Sequence, residues 1–250
     1  MIILRILWTA VLAIFDGFSQ TLRVFALPAL IGATVYAVCF LLLYRRNTVL
    51  PPQAYFTIII AVLAFCAAWT AVNFHRKVLL DERFGWVPRL HVREMAGYAM
   101  MCVPFILITL ALMIVSVLFA GEFFGIVPLW RIQLGLFPVT VMITAVALGL
   151  FAQLPPIAAG RPMGGVLRQA KSRWLVLLGI SVVLAAVQSL FPFAEGAMLS
   201  SILGNANPRA STGLVMALLV YSLFKGVVGW AFTLSLLTVI YKYVISSRLS

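Results

Sequence analysis

The residues best suited to chemistry crowd into one stretch, His75–Glu94, which reads HRKVLLDERFGWVPRLHVRE. It holds both histidines of the chain, three of its six acidic residues (Asp81, Glu82 and Glu94) and five basic ones (Arg76, Lys77, Arg83, Arg89 and Arg93). Imidazoles and carboxylates at this density raise the question of a metal centre. A di-metal carboxylate site takes a Glu from each of two helices and a Glu-x-x-His motif from each of two more. Only the reversed His91-x-x-Glu94 is present here, and isolated histidines make no ligand set. The expectation is no metal and no cofactor. The charges should pair with one another and with lipid phosphates, while Val78, Leu79, Leu80, Phe84 and Trp86 dip into a membrane interface.

A second stretch, LPPIAAGRPMGGVLRQAKSRW, runs from Leu154 to Trp174. Its glycines do not make a phosphate loop, because no G-x-x-x-x-G-K-[ST] is present and no strand leads into it. Pro155 and Pro156 should end the preceding helix, and residues 166–174 should form a short basic helix. The zinc-protease H-E-x-x-H and the hydrolase G-x-S-x-G are both missing. No catalytic residue is assigned, and the chain reads as a non-enzyme.

What must position these stretches is a set of long apolar segments. The 250 residues are 64% hydrophobic and only 10% charged, where a water-soluble domain carries roughly a quarter charged residues. Six runs are long enough to cross a bilayer: residues 25–44, 54–74, 98–120, 132–151, 174–193 and 213–244. Backbone groups in lipid must bond internally, so helices are expected. The fold class predicted is an all-α, six-helix transmembrane bundle forming one integral membrane domain over 1–250. Cys39, Cys66 and Cys102 fall within the spans and read as packing residues.

Charge sets the orientation. Thirteen Lys and Arg fall on the side of the termini and of the two basic stretches, against four in the opposite connections. The excess marks the cytoplasmic side, with both termini there. A net charge of +12 invites a nucleic-acid reading, but no basic stripe with interleaved aromatics is present, and nucleic acid is excluded as a partner. Membrane lipids, chiefly anionic, are the expected partners, with a membrane protein as a second class. The contact residues predicted are Arg76, Lys77, Arg89, Arg93, Arg168, Lys171 and Arg173.

Two features stand apart. Residues 2–23 place Arg5, Thr9, Asp16, Gln20 and Arg23 near one stripe at helical period, which predicts an amphipathic helix lying in the interface. Lys225 sits inside the sixth run, where a charge either lines a pore or substrate site or snorkels to the surface. The length of that run suggests a tilted helix, or a break near Gly226 and Gly229 preceded by an interfacial piece.

The segments AAWTAVNFHRKVLLDE and LPPIAAGRPMGGVLRQAKSRW resemble matching positions in a family of bacterial six-span inner-membrane proteins, distantly similar to YciC-like proteins and to the membrane domain of some glycerophosphodiester phosphodiesterases. The likeness rests on His75, Arg76, Leu79, Leu80 and Glu82 in the first segment and on Leu154, Pro155, Ala158, Gly160 and Trp174 in the second. It implies the bacterial inner membrane and six helices with interfacial cytoplasmic pieces, and it supplies no catalytic residues. The function expected is a membrane protein that organises lipid or a protein complex through its basic face. The alternative is a permease or channel for a small or lipophilic solute, working through Lys225.

Overall fold

The computed structural model describes residues 2–44, 51–124, 129–161, 165–187 and 208–245. Among them the chain is all helical, with no strand. The elements are α1 (Ile2–Phe15), α2 (Phe18–Tyr44), α3 (Pro52–Leu80), α4 (Val92–Phe124), α5 (Leu129–Phe151), α6 (Leu154–Ala158) and α7 (Val166–Ser172). Then come α8 (Trp174–Val187) and α9 (Pro208–Val239), which passes into a π-helical segment, Ile240–Ile245.

Four segments among the described residues are long and apolar enough to cross a membrane: Phe18–Cys39, Gln53–Leu80, Val92–Leu112 and Phe137–Ala158. These coincide with the first four expected spans. Their outward faces carry large apolar side chains, including Ile60, Phe65, Met100 and Leu107, a surface suited to hydrocarbon rather than water. The fifth expected span is described only over Trp174–Val187. The sixth falls in α9, which runs unbroken past Gly226 and Gly229. Of the two alternatives for this run, the break is not found, and a π-helical turn follows at the far end of α9. The connections holding Arg45, Arg46 and residues 188–207 lie outside the described residues.

The N-terminal expectation needs correction. Residues 2–23 are two helices, because the chain turns at Asp16–Gly17 with Gly17 at φ 62°, a left-handed conformation that glycine adopts at little cost. Arg5 and Thr9 therefore belong to α1, whereas Gln20 and Arg23 belong to the first turns of α2. The Thr21 hydroxyl ties the two together by donating to the Ile14 carbonyl at 2.8 Å.

Two buried clusters hold the bundle. One joins α1, α5, α7, α8 and α9 through Ile6, Ala10, Leu148, Leu177, Ile180 and Leu236. The other joins α2, α3, α4, α6 and α9 through Val24, Phe74, Tyr98, Leu154 and Leu234. Thus α9 is the shared wall. At Gly179 of α8 the side chain of Ile3 packs so closely that an added Cβ would collide with it. The short α6 sits between α3 and α4, with Leu154, Pro155, Pro156 and Ala158 all buried. Pro155 and Pro156 open this extra helix, since proline needs no N–H in a first turn. They do more than close α5.

Candidate functional site

The two basic stretches meet at one end of the bundle, together with α1 and the π-helical segment. Helix α3 reaches this end with Asn73, His75, Arg76 and Lys77, then stops at Asp81, whose φ of 53° and ψ of 34° are left-handed. That turn brings Glu82 back onto its own helix. The Arg76 Nε donates to Glu82 Oε2 at 2.6 Å, with the Glu94 carboxylate 3.9 Å from its Nη1. The same Nη1 points at the Ala158 carbonyl of α6, 3.4 Å away. His91 Nε2 lies 3.5 Å from the other oxygen of Glu82. One guanidinium thus ties α3, the following loop, α4 and α6.

Lys77 performs a similar task on the other side of α3. An ammonium has three protons, and Nζ directs them at the Asp16 carbonyl (2.6 Å), the Thr21 hydroxyl (2.7 Å) and the Ala13 carbonyl (3.5 Å). The two carbonyls belong to the end of α1 and the turn after it, where carbonyls lack helical partners and a cation is favoured, and the hydroxyl to the first turn of α2.

The loop over residues 81–91 is pinned by α2 and α3. Gln20 Oε1 accepts from the Phe84 amide at 2.9 Å, and Arg23 Nη1 donates to the Phe84 carbonyl at 3.2 Å while its guanidinium stacks over Trp86, 5.4 Å from the ring centre. Trp69 Nε1 and Asn73 Nδ2 both donate to the Arg89 carbonyl at 3.2 Å. Phe84 is consequently buried in the second cluster rather than dipped into an interface. Trp86, Val87 and Leu90 face outward.

Beneath this loop lies a polar centre that local spacing does not reveal. The Thr238 hydroxyl donates to the Leu234 carbonyl at 2.7 Å, so its oxygen can only accept from His75 Nδ1, 2.7 Å away. The imidazole therefore carries its proton on Nδ1 and leaves Nε2 to accept from the Tyr98 hydroxyl, 3.4 Å away. His75 and Thr238 are 0% exposed and Tyr98 is 2% exposed. A group so enclosed joins α3, α4 and α9 and is shielded from the surface of the bundle. Among the described residues, all seven buried polar ones make at least one hydrogen bond, although the Asn73 Oδ1 has none. No three His, Cys, Asp or Glu side chains among the described residues converge on a point that could hold a metal ion.

The remaining predicted contact residues are arranged differently. Arg89, Arg93, Arg168 and Lys171 are exposed, and Arg173 is half-buried at the junction of α7 and α8. Lys225 lies half-buried within α9, ahead of the exposed Gly226 and Val227. Two clefts open near the basic end. One, of about 950 Å³, lies between the α1–α2 turn, the end of α3 and the π-helical segment, and mixes Asp16, Asp81 and Glu82 with Lys77, Arg83 and Lys242. The other, of about 530 Å³, lies between α5, α7 and α8, with Arg168 and Lys171 above an apolar floor.

Comparison with known protein families, curated proteins and solved structures finds no match to this chain.

Proposed function

We propose that this is a non-enzymatic integral membrane protein of the bacterial inner membrane that gathers anionic phospholipid, or a protein complex carrying it, at a basic cytoplasmic face. The observation that carries the reading is the exposure of Arg89, Arg93, Arg168 and Lys171 at the same end of the bundle as the exposed Trp86, Val87 and Leu90. Cations beside aromatic and apolar side chains match the boundary between headgroups and acyl chains. The ionisable and polar side chains deeper in that end are engaged with one another, as at Arg76 and His75.

In this reading the chain crosses the membrane six times with both termini in the cytoplasm, in keeping with the 13 to 4 division of basic residues. Helix α1 lies in the interface. It rests on α9 through Ile6 and Ala10 and turns Leu4, Trp8, Leu12 and Phe15 outward, an apolar stripe for the acyl boundary.

The test is lipid analysis of the protein extracted with its surrounding bilayer. Neutralising four cations together (Arg89→Gln, Arg93→Gln, Arg168→Gln and Lys171→Gln) is expected to return the lipid composition of the extracted patch to that of the bulk membrane. Each cation near an anionic surface contributes about 1 kcal/mol. Undiminished anionic enrichment around a variant of unchanged helix content sinks the proposal.

A further inference from the structure

The two clefts at the basic end differ in a way that assigns a ligand to one of them. The larger is lined by both signs of charge, so its fixed carboxylates and cations compensate one another. Among the described residues, no acidic side chain lines the smaller. Its floor is built from Ala145, Gly149 and Leu150 of α5 and Leu177 of α8. The small residues leave a trough, open along its length and without a polar group on its floor. Above it stand Arg168 and Lys171, three residues apart and hence on one side of α7. Their helix is held in place by Val166 and Ala170, both buried in the first cluster. Trp174 closes the same rim, and tryptophan favours headgroup depth.

We infer that this cleft binds one anionic phospholipid, its phosphate against Arg168 and Lys171 and one acyl chain along the trough between α5 and α8. The assignment rests on the membrane reading above and deepens it to a single site. Charge complementarity selects the headgroup, because a planar guanidinium and an ammonium face the ligand with no carboxylate to oppose a phosphate. The apolar floor selects a lipid over a free anion, which would leave the trough uncovered. The same headgroup at the larger cleft would meet Asp16, Asp81 and Glu82.

The experiment uses the full chain in nanodiscs of mixed zwitterionic and anionic phospholipid, doped with phosphatidylglycerol carrying a photoreactive group in its acyl chain. Peptide mapping of the photoproducts is expected to place the label on residues 145–150 and around Leu177. Arg168→Gln with Lys171→Gln alters two exposed positions and leaves the buried clusters intact; it is expected to reduce that labelling by about thirtyfold. Val146→Trp, which fills the cleft from α5, is expected to reduce it while both cations remain.

Labelling of α5 that persists in the double variant overturns the inference, as does equal labelling by a photoreactive phosphatidylcholine. If anionic lipid stays enriched but depends on Arg89 and Arg93 instead, the basic-face reading survives and this cleft is not its site. If neither pair of cations affects enrichment, both readings fall together.

Discussion

Arg76 and Lys77 at the end of α3 and Arg168 and Lys171 on α7 look alike as sequence, each a pair of cations beside an apolar run. The bundle treats them in opposite ways. Around the first pair it supplies carboxylates and carbonyls from α1, α6 and the loop before α4, and the side chains are drawn inward. Around the second, among the described residues, it supplies a buried anchor on the far side of a short helix, and the side chains face out over an apolar trough. The lesson is that a cation's role follows from the acceptors the fold brings to it. The first pair closes the bundle; the second faces out of it.

Substitution at Arg76 should separate the two pairs most sharply. Arg76→Ala strips a half-buried Glu82 of its partner and is expected to lower unfolding free energy by about 3 kcal/mol. Arg168→Ala should change it by no more than about 0.5 kcal/mol. Denaturation of both variants in the same detergent reads the difference, and equal losses would erase the distinction drawn above.

A smaller and more local effect is expected at Lys77. Lys77→Met keeps the length of the side chain but leaves the Ala13 and Asp16 carbonyls and the Thr21 hydroxyl without their donor, at a cost of about 1–2 kcal/mol. Amide hydrogen exchange should rise in α1 ahead of α3 and α4. Uniform acceleration through the whole chain would show that Lys77 does not act on α1 in particular.

The smallest effect belongs to Asp81, whose left-handed turn brings Glu82 to Arg76. Asp81→Gly is expected to raise stability by up to about 1 kcal/mol, since glycine carries no Cβ penalty there. Asp81→Val should lower it by less than about 1 kcal/mol, since aspartate already bears part of the left-handed cost. The order of the two melting temperatures checks the sign.

Much of the bundle was legible because hydrocarbon imposes a simple requirement. A run of about twenty apolar residues has few alternatives to a spanning helix, and the first four expected spans fall within α2 to α5. The polar stripe through residues 2–23 misled because periodicity records angle, not continuity. Gly17 was the local sign of a turn, and the stripe passed over it. The distinction between the two cation pairs was not legible at all. The acceptors of Lys77 lie 56 to 64 residues away and those of Arg76 include one at 82, beyond the reach of any local pattern. The His75 centre was hidden more deeply still, with its Thr238 partner 163 residues distant. Each residue of that trio, taken singly, reads as a minor polar interruption in an apolar run.

The seating of α1 on α9 has a consequence for biosynthesis. The Ala10 carbonyl accepts from the Ser235 hydroxyl across 225 positions of chain, so α1 docks on a helix that leaves the ribosome long after it. At 5–20 residues per second, about 11 to 45 s separate the two. Through that interval Ile6 and Ala10 have no α9 to cover them, and the growing chain must shelter them in lipid or against a chaperone. A message truncated before the codon for Ser235 would leave that helix waiting for a partner that is never made.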